Sequence, residues 1–341
     1  MDNKVTRRRL SNLIAYEWIL VVVAVIAAIF VLEIIYSATG QGLTSGQRFN
    51  YYYDTMLQRN DMIDFHTSLR SPDGTNNYVF SYDVIECEYE KIYEDNDALS
   101  ARYEIQEVDV IFTDFTPVTN PENKVRLQAV ADDYHLYDFQ SLLDDATDYL
   151  AQFLKDEHAG KTVAEKRALV IEQGYAQFDV AKIEAHFRQR MKKDNRYRRE
   201  SDIQVGITLE KGRIEKLCSE VKDFYTILTC GQDIFYTYTR YQQAYDYETF
   251  TGNKEYSGYY KKLLDEEIAS GRQNAIYGIK LENLVPAEGE TNVSKYFRLY
   301  KETTAKNVAI CVFNQKENQP YLQYETISFV NNVIRQFSNI I

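Results

Sequence analysis

LIAYEWILVVVAVIAAIFVLEIIY, residues 13 to 36, decides how this chain is organised. No charge interrupts it from Trp18 to Leu32, and Glu17 and Glu33 stand near its two ends. A bilayer core of about 30 Å needs ~20 helical residues at ~1.5 Å each, and Leu13 to Tyr36 meets that need. Tyr16, Trp18 and Tyr36 are placed as interfacial aromatics. The stretch predicts a single transmembrane α-helix. The alternative is a cleaved signal peptide, with Ala38 and Gly40 as the small residues near a cut. A signal h-region runs only about 7–15 residues, and no lipobox cysteine follows, so a retained anchor is the expectation.

The flanks set its direction. Lys4, Arg7, Arg8 and Arg9 precede the helix, whereas Arg48 is the first basic residue after it. The positive-inside rule then gives a cytoplasmic tail (1–12), the transmembrane helix (13–36), a short Gly-containing stem (37–49) and an extracytoplasmic domain (50–341). The expected location is the cell membrane, single-pass. Ala24 and Ala28 form a small-xxx-small pair and are the candidate contact with a membrane partner. The tail is too short to fold, so function is assigned to the exterior.

That exterior is acidic. The whole chain carries a formal net charge of −12, and four of its basic residues are in the tail. Such a surface excludes nucleic acid as a natural partner and favours cations, neutral solutes or basic proteins. The sequence has no GxGxxG, no GxxxxGK[ST] and no HExxH, and no cofactor or metal is expected. Cys87, Cys218, Cys230 and Cys311 show no CxxC spacing. They read as free, mostly buried thiols, because a chain of 341 residues does not need disulfide staples.

Hydrophobic periodicity predicts a mixed α/β (α+β) domain. Residues 50–69 read as a helix, then strands at 78–90 and 103–113. Helices follow at 138–156, from a capping box at Thr162 and Glu165 to Gly174, and from an Asp179 cap to about Lys193. Ile203, Val205, Ile207 and Leu209 alternate as a strand, and a helix through Leu217, Cys218 and Leu228 comes next. A helix near 258–270, strands at 276–281 and 308–313, and a helix on Ile327, Val330, Ile334 and Phe337 complete the chain.

Four constellations carry candidate chemistry. Glu86, Glu88 and Glu90 share one strand face, ~7 Å apart as neighbours, a spacing that suits a carboxylate pair for glycoside hydrolysis; a solvated face is the plainer reading. Asp95-Asn96-Asp97 resembles the DxD of glycosyltransferases, although Lys91-Ile92-Tyr93-Glu94 is not the apolar strand that family places before it, and a turn is the plainer reading. Arg188, Arg190, Lys192, Lys193, Arg196, Arg198 and Arg199 form a basic run that either meets an anion or complements a helix end. His66, His135, His158 and His186 read as surface or capping residues. Finally, Tyr236, Tyr238, Tyr241, Tyr245, Tyr247, Tyr256, Tyr259 and Tyr260 crowd one stretch. Tyrosine joins an apolar face to a hydroxyl, which suits sugar stacking and protein interfaces.

Val108-Asp109-Val110-Ile111-Phe112-Thr113-Asp114 followed by Tyr137-Asp138-Phe139-Gln140-Ser141-Leu142-Leu143-Asp144-Asp145-Ala146-Thr147-Asp148-Tyr149-Leu150 resembles a strand-to-helix unit of the extracytoplasmic solute-binding proteins of ABC importers. Ile276 to Leu281 is similar to a late strand of the same family. The resemblance implies a solute-binding-like fold, a carbohydrate or other small solute as ligand, and an integral membrane transporter as partner. The chain departs from the family in its helical anchor and in the absence of a traceable second lobe. On this reading the candidate ligand residues are Asp114, Tyr236, Tyr241 and Tyr245. An envelope enzyme and a membrane-partner scaffold stand as the alternatives.

Overall fold

A computed structural model describes residues 22–23, 25–29, 31, 48–53, 57, 59–70, 86–91, 97–105, 107–115, 136–239, 241–271, 274–284, 306–314, 324–338 and 340–341. The chain divides into two units, residues 1–44 and 45–341. Within the first, residues 22, 23, 25–29 and 31 are helical and exposed, Ala28 among them. The rest of the expected anchor, including Ala24, lies outside the described residues. No helix among the described residues is long and apolar enough to cross a membrane.

The second unit is a mixed α/β domain around one six-stranded sheet. It begins with β1 (Arg48–Tyr53), where the sequence reading placed the end of the stem and the start of a helix. Phe49, Tyr51, Tyr52 and Tyr53 are all buried, so both faces of this strand are covered. A strand buried on both faces reads as a continuous apolar run with no period of two, which hid it. Helix α1 (Arg59–Ser68) follows. Then come β2 (Glu86–Lys91), α2 (Asp97–Glu104) and β3 (Val110–Asp114). The strand expected over 103–113 therefore starts later, because α2 occupies its first residues.

Three helices form next. Asp138 caps α3 (Phe139–Ala151), accepting from the backbone N–H of Gln140 and Ser141. The Thr162–Glu165 capping box opens α4 (Val163–Gln173), and Gly174 closes it at φ 67°, a conformation that favours glycine. Asp179 caps α5 (Val180–Arg190).

The predicted strand over 203–209 is instead part of α6 (Glu200–Leu228). Val205 and Leu209 are exposed, while Ile207, Glu210, Ile214, Leu217, Val221 and Phe224 are buried. That is a helical stripe, and the polar Glu210 within it broke the pattern in the sequence. Gly206 is also fixed by packing. A Cβ there would run into the rings of Phe187 and Tyr197, which pack edge to face at 5.1 Å. Gly212, in the same helix, has nothing within 4 Å of the same position. Two substitutions of the same kind should therefore have opposite signs. Gly206→Ala overpacks the buried Phe187 ring and its half-buried partner Tyr197 and costs about 1–3 kcal/mol. Gly212→Ala gains helix propensity, up to ~1 kcal/mol. Thermal unfolding of the two variants reads the contrast directly.

The chain then enters β4 (Phe235–Tyr238) and a helical hairpin, α7 (Gln242–Phe250) and α8 (Lys254–Ala269). It finishes with β5 (Ala275–Lys280), β6 (Val308–Val312) and α9 (Glu325–Phe337). The strand order is β2-β1-β3-β6-β5-β4. The β1 strand is parallel to both of its neighbours, and the β3–β6, β6–β5 and β5–β4 pairs are antiparallel.

One face of the sheet packs on α1, α3, α6 and α9 and holds the larger core. The other carries a smaller aromatic cluster, with Leu99 of α2 against Tyr52, Ile111, Tyr277, Cys311 and Phe313. Cys87, Cys218 and Cys311 are buried, Cys230 is half-buried, and all four are free thiols. Burial pushes the Cys87, Cys218 and Cys311 thiols up, which leaves them protonated and unreactive at neutral pH.

Candidate functional site

The three parallel strands fix where a ligand crevice can form. From β1 the chain crosses to β2 on one side of it, then returns to β3 on the other. At such a reversal the connections leave the carboxyl ends of neighbouring strands in opposite directions and open a crevice between them. Here those ends are Tyr53 of β1 and Asp114 of β3. Tyr53 is buried, and Asp114 is half-buried and paired by backbone with Val308 of β6.

Beside Asp114, the Phe115 backbone N–H donates to Asn307 O at 2.7 Å and holds the chain against β6. The Phe115 ring packs on Tyr236 of β4, with ring centroids 5.2 Å apart. Two strands, β6 and β5, lie between β3 and β4, so this contact needs low ground between. Ala309 and Gly278 supply it. A Cβ at Gly278 would come within 2.8 Å of Cys311 Sγ and 2.9 Å of Ile310 O. Tyr103, Tyr236 and Ala275 are half-buried at the margin of this aromatic cluster. Burial pushes the Tyr52 hydroxyl up to about 12, with Arg102 opposing, so it stays a neutral donor and acceptor.

Of the four residues singled out in the sequence, Tyr236 meets Phe115, the residue after Asp114, but alternation along β3 turns Asp114 to the face of Val308 and Phe112, opposite the Phe115–Tyr236 pair. Tyr241 and Tyr245 lie elsewhere. The β4 strand runs opposite to β3, so the chain leaves it at the end of the sheet remote from Asp114. There Tyr241 precedes α7, and its backbone N–H donates to Glu267 Oε2 of α8 at 3.3 Å. The Tyr245 ring lies 5.8 Å from Lys261 Nζ, itself paired with Asp265. Both tyrosines knit the α7–α8 hairpin together. The exposed aromatics of the region are others: Tyr247, Phe250, Tyr256 and Tyr259.

The remaining constellations resolve into structure. Glu86, Glu88 and Glu90 are exposed on β2 with Cys87 buried behind them, as a half-buried strand requires. Asp97 is the first residue of α2, while Asp95 and Asn96 lie outside the described residues. Three of the seven cations of the basic run pair with neighbouring carboxylates: Arg188 with Glu200, Arg190 with Glu210 and Arg196 with Asp194.

The histidines are neither free surface residues nor caps where they are described. The His66 ring lies against Tyr51 and Tyr89 and bonds Tyr51 Oη at 3.0 Å. Burial holds it down to about 4, so it is neutral at physiological pH. His158 bonds Gln177, and His186 packs on Tyr149 and Phe153. His135 lies outside the described residues. Among the described residues no group of three or more His, Cys, Asp or Glu could hold a metal ion.

One feature escaped the sequence reading altogether. Glu210 is fully buried between two guanidiniums, Arg190 at 2.7 Å and Arg213 at 2.9 Å. Arg213 also donates to Tyr149 Oη at 2.7 Å. Comparisons with protein-family models, with curated proteins and with solved structures find no match to this chain.

Proposed function

We propose that the chain is a membrane-tethered extracytoplasmic binding or accessory module that works beside an integral membrane transporter, with a carbohydrate or other small solute as its ligand. The observation that carries this reading is Asp114. It ends β3 beside the strand-order reversal. A carboxylate at that place accepts hydroxyl or amide hydrogen bonds, which suits a polar solute.

The tether rests on the run from Leu13 to Tyr36. Its described residues are helical, apolar and exposed. A helix that is apolar all round calls for an apolar environment. The strand and the helix that carry the resemblance to solute-binding proteins are β3 and α3, joined in the same order.

A thermal-shift screen of the full-length chain in detergent, against sugars, short peptides and metal ions, tests ligand capture. The expected result is a shift with at least one class of solute, and affinity at least ~10-fold weaker in Asp114→Asn, in line with the loss of one charged contact. Silence across the whole panel overturns it.

A further inference from the structure

The α7–α8 hairpin stands apart from the packing of the sheet. Of the described side chains from Gln242 to Ala269, only Leu264 and Glu267 are buried. Among the described residues, none from either helix belongs to the larger core or to the smaller aromatic cluster. The two helices hold each other instead. The Tyr241 backbone bonds Glu267 near the base, and Tyr245 meets Lys261 farther out. Beyond that level, toward the turn at Thr251, Gly252 and Asn253, the large side chains are exposed. Phe250 is 65 % exposed, and Tyr247, Tyr256 and Tyr259 are exposed with it. Tyr247 and Phe250 share one side of α7, and Tyr256 and Tyr259 share one side of α8, since residues three apart are neighbours on a helix. Single exposed apolar residues are ordinary, but four aromatics on an element without a core of its own mark a contact surface.

Sheet register fixes where the hairpin starts. Phe235 pairs with Ile279, Ile279 with Ile310, Ile310 with Phe112, and Phe112 with Tyr53, so β4 begins level with the last residue of β1. The β4 strand runs opposite to β1, and its last pair, Tyr238 with Ala275, lies level with the first residues of β1. The hairpin therefore leaves and rejoins the sheet at the end where the chain enters β1 at Arg48.

That end is the one to which the predicted anchor is joined. Residues 37–47 lie between Tyr36 and Arg48, and they reach at most ~40 Å when fully extended. A membrane tether thus keeps this end of the sheet near the bilayer, and α8, at 16 residues, is itself about 24 Å long. The chemistry of the tip agrees. Tyrosine and phenylalanine suit the headgroup layer, where a ring finds apolar carbon and a hydroxyl finds water. From Tyr247 to Tyr259 the charged residues are Glu248, Lys254 and Glu255, so the tip is nearly neutral in a chain of net charge −12. Such a tip matches a zwitterionic surface, and the acidity of the rest of the chain disfavours an anionic one.

We propose that the distal half of the α7–α8 hairpin seats in the headgroup layer of the bilayer that holds the tether, with Phe250, Tyr256 and Tyr259 among zwitterionic lipids. The proposal deepens the tether reading and rests on it.

The one tryptophan of the chain, Trp18, lies in the predicted anchor, so the two claims can be read separately. The full-length chain is reconstituted in phosphatidylcholine bilayers, with and without lipid brominated at the upper acyl carbons. Trp18 in the unaltered chain reports the anchor. Trp18→Phe/Phe250→Trp reports the hairpin tip. Trp18→Phe/Tyr225→Trp is the control, because Tyr225 is exposed in the last turn of α6, from which the chain runs to the opposite end of β4. Phe250 and Tyr225 are both exposed, so neither change disturbs a core. The expected result is loss of emission from the Phe250→Trp reporter in brominated lipid, with the Tyr225→Trp reporter left bright. The proposal is overturned if the tip reporter is not quenched, if tip and control are quenched alike, or if quenching requires added phosphatidylglycerol. It is also overturned if the tip emission shifts to the blue without quenching and the chain sediments as a dimer in detergent, which assigns the face to a second copy. Quenching of Trp18 beside an unquenched tip removes the hairpin proposal and leaves the anchor. A quenched tip beside an unquenched Trp18 supports the hairpin contact and removes the anchor.

Discussion

Replacing Glu210 with leucine should destabilise the domain by about 3–5 kcal/mol, the cost of leaving a buried charge without its counterion. The wild-type geometry explains the size. Glu210 has no exposed surface, Arg213 is 2 % exposed, and the Arg190 side chain is 9 % exposed. Each carboxylate oxygen receives at least one charged N–H, and both Arg190 Nη2 and Arg213 Nε donate to Oε2. With the carboxylate gone, two guanidiniums face each other in a low-dielectric pocket beside Tyr149, Phe187 and His186. Removing all three charges together, as Glu210→Leu/Arg190→Met/Arg213→Met, should recover most of the loss, because well-packed apolar groups replace a buried ionic cluster at little or no net cost. Urea unfolding of the two variants separates the possibilities. A loss under about 1 kcal/mol in Glu210→Leu would mean that water reaches the cluster in solution.

The same cluster shows why part of the fold was legible in the sequence and part was not. Helices α3, α4 and α5 announce themselves through local chemistry: Asp138, Thr162 with Glu165, and Asp179 bond the first backbone N–H groups of their own helices. Such signals act over three or four residues and need no knowledge of the rest of the chain. Strands β5 and β6 were legible because their apolar runs are bounded by polar residues.

Where burial is decided from far away, the sequence misleads. Glu210 and Arg213 look like an ordinary solvated pair three residues apart, and the alternation from Ile203 to Leu209 looks like a strand. Only the rings of Phe187 and Tyr197, packed over Gly206, show which side of α6 is inside. Of the candidate residues, Asp114 is legible as the polar end of an apolar strand. The Phe115–Tyr236 contact on the other face depends on Ala309 and Gly278, which come from separate parts of the chain. The density of tyrosines around Tyr241 and Tyr245 does not distinguish a ligand face from the contacts that join two helices of a hairpin.

The most demanding test of the core falls on α9, where Phe329→Ala should cost about 3–5 kcal/mol, the range for deleting a buried phenyl ring. Phe329 has no exposed surface. Its ring stacks on Phe49 at 5.1 Å and meets Tyr51 at 5.5 Å, Phe65 at 5.9 Å and Phe112 at 6.1 Å. Those partners belong to β1, α1 and β3, so one side chain from the last helix holds the two strands whose carboxyl ends frame the proposed crevice. Aromatic pairs of this kind add about 0.5–1.5 kcal/mol beyond the area they bury, and Phe329 makes four. Phe329→Leu keeps most of the volume and should cost less than about 1.5 kcal/mol. The two variants also connect stability to function. If the β1–β3 crevice is the ligand site, Phe329→Leu should remain folded yet bind the solute identified in the thermal-shift screen more weakly, because the ring that sets the spacing of β1 and β3 has changed shape. Unchanged affinity in a folded Phe329→Leu protein would place ligand recognition away from these strand ends.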